Sequence, residues 1–460
     1  MERVKTGSVW TAMAHIISVL IGSSVLALPW TFAQLGWVAG PAVLVAFFGV
    51  TYYTSALLSD CYRQPDPITA TANQDYVDAV FCYLGPRKAF WCGLVQYSNI
   101  WASLVGYTIT VSASTSAIFR ISCSHRVGLG DGDTCGSGPG IGGVSVLVAF
   151  CAIQVPFSQL PNLDNVTWLS FTSVATSFGY SIVCLGLCFA KWASHHGDIR
   201  GSLVGTTAIS SPDKLFNIFL AIGNVATSFV YADVLIEIQE TLRSPPAEGK
   251  TMKKASLYSL AISTMFYLLL GSAGYAALGD GAPGNILDGV AFREPFWLMY
   301  IANACVVVHF LAGYQVFAQP LFARLESSVS RRWPAAWFVK ASYELQVPGT
   351  SITMKLTPMK LVLRMAVIVV TTLVAALMPF FNAVLGLIGA IGFWPLSVYF
   401  PVSMHIARLK IQRREARWWM LQIMSFCCLL VSVGISVASV KDIVDNLKKA
   451  APAQESLLIE

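Results

Sequence analysis

The fold class predicted by this sequence is an all-α membrane protein with many spans, and three observations predict it. Of the 460 residues, 55% are hydrophobic and 12% charged, for a mean hydropathy of +0.63; a soluble domain carries about 25% charged residues. Apolar runs of the roughly 20 residues that a helix needs to cross a bilayer recur along the whole chain. Basic residues collect in alternate loops between those runs, the usual mark of cytoplasmic connections. Those loops account for the formal charge of +6, and no nucleic-acid partner is expected. The first apolar run is too long for a signal-peptide core and leads into further spans, so no cleavable signal is expected.

Eleven spans are expected, near 8–33, 37–59, 89–119, 141–160, 164–191, 214–240, 255–279, 294–324, 358–380, 383–407 and 417–440. Trp10, Trp30 and Trp37 bound the first two and read as anchors at the lipid–water interface. The third holds a polar patch, Gln96, Tyr97 and Asn99, of the kind that joins helices in lipid or faces a pocket. A Gly-rich loop follows it, "CSHRVGLGDGDTC", bracketed by Cys123 and Cys135. The sixth carries "IGNVATSF", the eighth carries Asn303 and His309, and the eleventh opens on Trp418 and Trp419.

With the N-terminus in the cytoplasm, 21 of the 30 Lys and Arg fall inside and nine outside. The inner set includes Arg243, Lys250, Lys253 and Lys254 after span six and Arg408, Lys410, Arg413, Arg414 and Arg417 after span ten. An odd number of spans then puts the C-terminus outside the cell. Cys123 and Cys135 fall on the same outer side, where a disulfide can form. Most other cysteines lie in apolar runs as small buried hydrophobes. No CxxC pair or His/Cys cluster suggests a metal, no Walker motif suggests an ATP-driven pump, and no cofactor is expected. A single transmembrane domain is expected over 1–440, with a C-terminal tail over 441–460.

Two spans carry signs of interruption. Backbone in lipid is normally regular, because its polar groups have no other partner. Span one has Gly22-Ser23-Ser24 near its middle, and span six has Gly223, Asn224, Thr227 and Ser228. Interruptions five spans apart point to a transporter built as a five-plus-five inverted repeat, with its site at the breaks. Repeat one would cover about 8–191, repeat two about 214–407, and the eleventh helix would stand apart at about 417–440. Broken ends expose amides at Ser23, Ser24 and Val25, where a positive helix end can hold a carboxylate. Carbonyls near Ile21 and at Ile222, Gly223 and Asn224 would then face an ammonium group. Together they describe a site for an α-amino acid. The competing reading is that small residues only let helices pack closely.

Six segments carry a resemblance: "GSVWTAMAHII", "AQLGWVAGPAVLVAFFGVTYYTSALLSDCYR", "VLIEIQETLRSPPAEGKTMKKA", "GYAALGDGAPGNIL", "VVVHFLAGYQVFAQPLFARLE" and "IGFWPLSVYFPVSMHIAR". They resemble the plant amino acid permeases, of the amino acid/auxin permease family in the APC superfamily. The likeness runs from about Val4 to the end of span eleven. It implies a plasma-membrane, proton-coupled symporter that imports neutral and acidic amino acids by alternating access, and not an enzyme. Its partners would be an amino acid, a proton and the bilayer, with a monomer expected. This chain departs from the family pattern at Ser24, Pro29, Asn224, Thr227, Ser228, Asp233 and Tyr300, mostly in segments expected to line the pocket. An amino-acid sensor, or a transport-impaired relative with a substrate such as an auxin-like weak acid, is the alternative.

Ionisable residues inside the membrane are costly and each calls for a partner or a role. His15, Asp233, Glu237 and His309 are the candidates for proton coupling or gating. His15 lies about two turns before the break in span one, where a histidine can carry a proton near physiological pH. Asp233 is about 15 Å beyond Gly223 along a regular helix, so it either titrates or reaches water at the inner interface. Glu237 is four residues further, on the same face. Tyr97, Asn99 and Asn303 join Thr227 and Ser228 as candidates to shape the side-chain pocket.

Overall fold

Lipid offers the backbone no hydrogen-bond partner, and the apolar runs of this chain fold accordingly as helices. The computed structural model describes residues 5–63, 72–73, 75–127, 143–159, 167–195, 197–206, 211–288, 292, 295–346, 353–377 and 381–457. Helix α1 (Val9–Leu20) starts at a capping box in which Ser8 and Thr11 satisfy each other's amides. It stops at Ile21-Gly22, a 3-10 turn covers Ser23–Ala27, and α2 (Leu28–Asp60) follows. Pro29 sits in the first turn of α2, where a missing amide costs nothing, so it does not kink the helix. Gly36, with φ 79° and ψ 178°, divides α2 close to the expected border between the first two spans.

The chain continues through α3 (Tyr76–Leu84), α4 (Pro86–Val127), α5 (Gly143–Ser158), α6 (Thr167–Ser194), α7 (Ser211–Ser228), α8 (Ala232–Glu240) and α9 (Glu248–Leu278). Then come α10 (Phe296–Arg332), α11 (Trp337–Lys340), α12 (Pro358–Leu377), α13 (Phe381–Gly392), a π-helical turn at Phe393–Tyr399, α14 (Phe400–Leu409) and α15 (Ala416–Leu457). Among the described residues, nine segments are long and apolar enough to cross a membrane, and two shorter apolar helices, Val9–Leu20 and Ser145–Ser158, accompany them. The first of these is short because its span is interrupted.

The fold is all-α, with one short antiparallel pair, β1 (Tyr343–Gln346) and β2 (Thr353–Leu356), in the connection between α11 and α12. Helix α15 runs to Leu457, into the segment expected as a C-terminal tail. One expectation is corrected. The interruption in span six is not at Gly223-Asn224. Helix α7 runs on through Ser228, and the break is at Phe229–Tyr231. Gly223 instead marks a close helix crossing, since a Cβ there would stand 2.6 Å from Ile435 and 2.8 Å from Gly386. The Cys123–Cys135 pairing falls partly outside the described residues: Cys123 is disulfide-bonded, and Cys135 lies outside them.

The two ends of the bundle are tied differently. At the end bearing the N-terminus, Lys5 pairs with Glu240 (3.0 Å), Arg63 with Glu248 (2.9 Å) and Lys253 with Asp60 (2.6 Å). Gly7 adds two backbone bonds to the chain just after α8, at Thr241 and Arg243. At the other end, the Thr206 amide donates to the Ala33 carbonyl (2.8 Å) and the Ile286 amide to the Leu26 carbonyl (3.0 Å). Gly36 and Gly205 both have positive φ there, and each would meet backbone atoms at 2.4 Å if it carried a Cβ.

Candidate functional site

The break in α1 needs partners for its freed carbonyls, and two buried tyrosines supply them. The Tyr180 hydroxyl on α6 lies 3.0 Å from the carbonyls of both Ile21 and Gly22. The Tyr267 hydroxyl on α9 donates to Leu20 (2.7 Å) and lies 3.2 Å from the Ser228 carbonyl at the end of α7. One side chain therefore spans both interruptions. The first hydrogen bond of the 3-10 turn runs from the Val25 amide to the Gly22 carbonyl, which leaves the Ser23 and Ser24 amides ahead of the ladder. Both serines are buried.

Beside this turn lies a small cavity of about 30 Å³. Gly22, Ser23 and Ser24 form one wall, Asn99, Ser103 and Tyr107 of α4 another, and Thr227 and Val230 a third. Val19, Phe317, Leu385 and Ile388 make its apolar face. The two breaks thus meet at one space of mixed polar and apolar lining. Five expected residues converge there: Gly22, Ser23, Ser24, Asn99 and Thr227. Ser103 and Tyr107 were missed, although they follow Asn99 at the four-residue spacing that puts side chains on one helix face. Phe317, Leu385 and Ile388 carry no local signal, being ordinary apolar residues of packed helices.

Other expected residues lie elsewhere. Ile21 and Val25 are buried beside the turn without lining the cavity. Ile222 packs at the rim of the core. The Gly223 and Asn224 carbonyls already accept the hydroxyls of Thr227 (3.1 Å) and Ser228 (3.0 Å), because the helix is intact there. The Asn224 side chain faces Asn382 (3.4 Å). Asn303 ties the loop at Leu287 to α10, with its amide 3.3 Å from the Leu287 carbonyl. Tyr97 lies under the guanidinium of Arg324, 5.9 Å from its ring centre.

A second cavity, of about 100 Å³, is lined by Thr6, Gly7, Thr11, His15, Glu237 and Thr241 at the end that carries the N-terminus. Val19 and Phe317 line both cavities, so these two side chains form the partition between them. His15 and Glu237 face the second cavity. His309 lines neither: its Nδ1 is 2.9 Å from both the hydroxyl and the carbonyl oxygen of Ser173, and its ring meets those of Tyr180 and Phe310. Asp233 does not reach water at an interface. It is fully buried, and its Oδ2 accepts the Asn99 amide at 3.0 Å.

A helical membrane bundle whose interruptions close around a cavity of mixed polar and apolar lining, backed by a second cavity at one end, has the architecture of a membrane transporter. The chain belongs to the transmembrane amino acid transporter protein family, whose model matches residues 5–444. Within it the chain groups with the plant amino acid permeases. It is 46% identical to amino acid permease 2 of Arabidopsis thaliana over 97% of this chain and 90% of that one. It is 45% identical to amino acid permease 3 of the same plant, over 97% and 93%. Among solved structures it resembles MhsT in complex with L-phenylalanine, with a TM-score of 0.60, 11% identity, and 95% of this chain and all of that one covered. That likeness concerns the fold alone. The chain is a transporter of amino acids rather than an enzyme.

Proposed function

We propose that this permease imports neutral and, at the margin, acidic amino acids with a proton across the plasma membrane, by alternating access. The single observation that carries the reading is the meeting of both helix breaks at one cavity of mixed polar and apolar lining, with a second cavity behind the Val19–Phe317 partition. Eleven spans follow if the two short apolar helices cross with the nine longer ones, and the first ten form two inverted repeats of five. The N-terminus lies in the cytoplasm and the C-terminus outside, in keeping with the basic loops. The protein works as a monomer.

In this reading the substrate carboxylate docks on the Ser23 and Ser24 amides. Asn99, Ser103, Tyr107 and Thr227 meet its polar atoms, and Val19, Val230 and Phe317 receive an apolar side chain. Rocking of the broken helices against the rest opens the partition towards the second cavity. One charge crossing 100 mV gains about 2.3 kcal/mol, enough for roughly 50-fold accumulation without ATP. Radiolabelled amino-acid uptake in a permease-deficient yeast should rise as external pH falls and vanish with a protonophore. Uptake indifferent to both would overturn proton coupling. Binding without any uptake would turn the assignment to a sensor.

A further inference from the structure

The buried Asp233 and the half-buried Glu237 of α8 stand beside the two cavities and carry an inference that rests on the proton-coupled reading above. Asp233 is in the first turn of α8 and Glu237 one turn later, about 5–6 Å apart on one face. Each has one oxygen held by an amide of α4: Asn99 donates to Asp233 Oδ2 (3.0 Å) and Gln96 to Glu237 Oε1 (3.2 Å). Gln96 also donates to the Asp233 backbone carbonyl (2.6 Å), which locks α4 to α8 at this point. The other oxygens, Asp233 Oδ1 and Glu237 Oε2, are buried and have no hydrogen-bond partner among the described residues. Other buried polar atoms share that state here, but these two belong to ionisable groups, for which an unpartnered oxygen is most costly and asks for an explanation.

The charged and titratable neighbours do not supply one. From α3 and its cap come Asp75 and Tyr76, from α4 Cys92, Tyr97 and Tyr107, and from α1 His15 across the second cavity. Among the described residues, no lysine or arginine forms an ion pair with Asp233 or Glu237. The two carboxyl groups therefore have no cation to balance a fixed charge at a depth where charge is expensive. A group in that position is suited to gain and lose a proton.

We propose that Asp233 holds the co-transported proton, that Asn99 links its state to the substrate cavity, and that Glu237 receives the proton for release into the second cavity. Among the described residues, Asn99 both lines the substrate cavity and bonds Asp233. While Asp233 is an anion, it holds the Asn99 amide by a charge-assisted bond. A proton on Asp233 weakens that bond and frees the amide for the substrate. The forward step breaks the O–H bond at Asp233 Oδ1 and forms one at Glu237 Oε2 through an intervening water. Asp233 is left as the carboxylate that recaptures Asn99, and Glu237 then loses its proton to the cavity it lines.

The test uses full-length protein in detergent and in proteoliposomes, with labelled proline or glutamine. For the unsubstituted protein, affinity should tighten as pH falls, by up to tenfold per pH unit for one linked proton. Asp233→Asn keeps the shape but carries no proton. Its affinity should become independent of pH, and a proton gradient should no longer drive accumulation above the external concentration. Glu237→Gln should keep the pH-dependent affinity and lose gradient-driven accumulation. An Asp233→Asn protein whose uptake still follows the proton gradient overturns the assignment. If that variant does not fold, infrared difference spectra of the unsubstituted protein decide: substrate binding must change a carboxyl band, and spectra without one overturn it. Failure of the symport reading is distinguishable, because the unsubstituted protein would then itself show no pH dependence.

Discussion

At the scale of single residues, Gly22 shows how a motif and its geometry can part company. Its φ of −116° is open to any residue, and a Cβ there would meet only ordinary contacts, 3.7 Å from Val19 and 3.9 Å from Phe310. Glycine is therefore not required for the break itself. What matters is that Gly22 lines the cavity. Gly22→Ala should fold normally and transport with a modest loss. Gly22→Leu should reach the membrane but bind no substrate, because the side chain occupies the cavity. Normal binding of labelled amino acid by the leucine variant would remove Gly22 from the site. Ser24 and Thr227, two of the departures from the family pattern, also line the cavity. Asn224 does not, and its side chain is spent on Asn382. Departures that look alike in sequence thus differ in consequence according to which way the helix faces.

At the scale of elements, the two interruptions were unequally legible. Gly22-Ser23-Ser24 marks the first at the right place. In the second, Gly223 and Asn224 mimic a break, yet α7 continues past them and stops at Phe229–Tyr231, a stretch with neither glycine nor proline. Small residues serve both unwinding and close crossing, and only the neighbouring helix tells these apart. Tyr180 and Tyr267 hold the broken ends by single hydroxyl groups. Removing the Tyr267 hydroxyl takes its hydrogen bond from the buried Ser228 carbonyl, at a cost of about 1–3 kcal/mol, while the Leu20 carbonyl keeps the Gly22 amide at 3.0 Å. Tyr267→Phe should lower stability by that amount, read by thermal unfolding in detergent, while Tyr258→Phe at an exposed site should not. Equal stabilities would mean that the hydroxyl is dispensable. Between α2 and α9, Pro29 and Phe32 seat against Gly274 and Gly271, where a Cβ would approach within 2.5 Å and 2.4 Å. Gly271→Leu should therefore destabilise by about 1–3 kcal/mol through overpacking, checked by the same unfolding measurement.

At the scale of the whole molecule, the ion pairs and the Gly7 backbone bonds draw the N-terminal segment, α2, α8 and α9 together at one end. The second cavity is lined by Thr6, Gly7 and Thr241 of that closure, so under the proposed alternating access the closure must loosen to release substrate. Lys5→Glu and Glu240→Lys should each raise amide hydrogen exchange at Gly7 and Arg243. The double swap should restore protection, since it rebuilds the pair with reversed charge. Unchanged exchange in both single variants would show that the backbone bonds hold this end alone.

Composition, apolar run length and motif were enough for the class, the helical membrane fold and the family. These depend on sums over many residues, and lipid leaves an apolar chain few alternatives to helix. The first helix break was legible as well, at Gly22-Ser23-Ser24, but the second was not, because Phe229–Tyr231 carries no glycine or proline to mark it. The cavity itself was not. It is built from α1, α4, α7, α10 and α13, elements hundreds of residues apart, and its apolar members look like any other core residue. The placement of Asp233 and Asn99 was also decided only in three dimensions. A carboxylate ten residues past a glycine could lie at an interface or in the core; the packing of α8 against α4 put it in the core, beside an amide that already faced the substrate cavity.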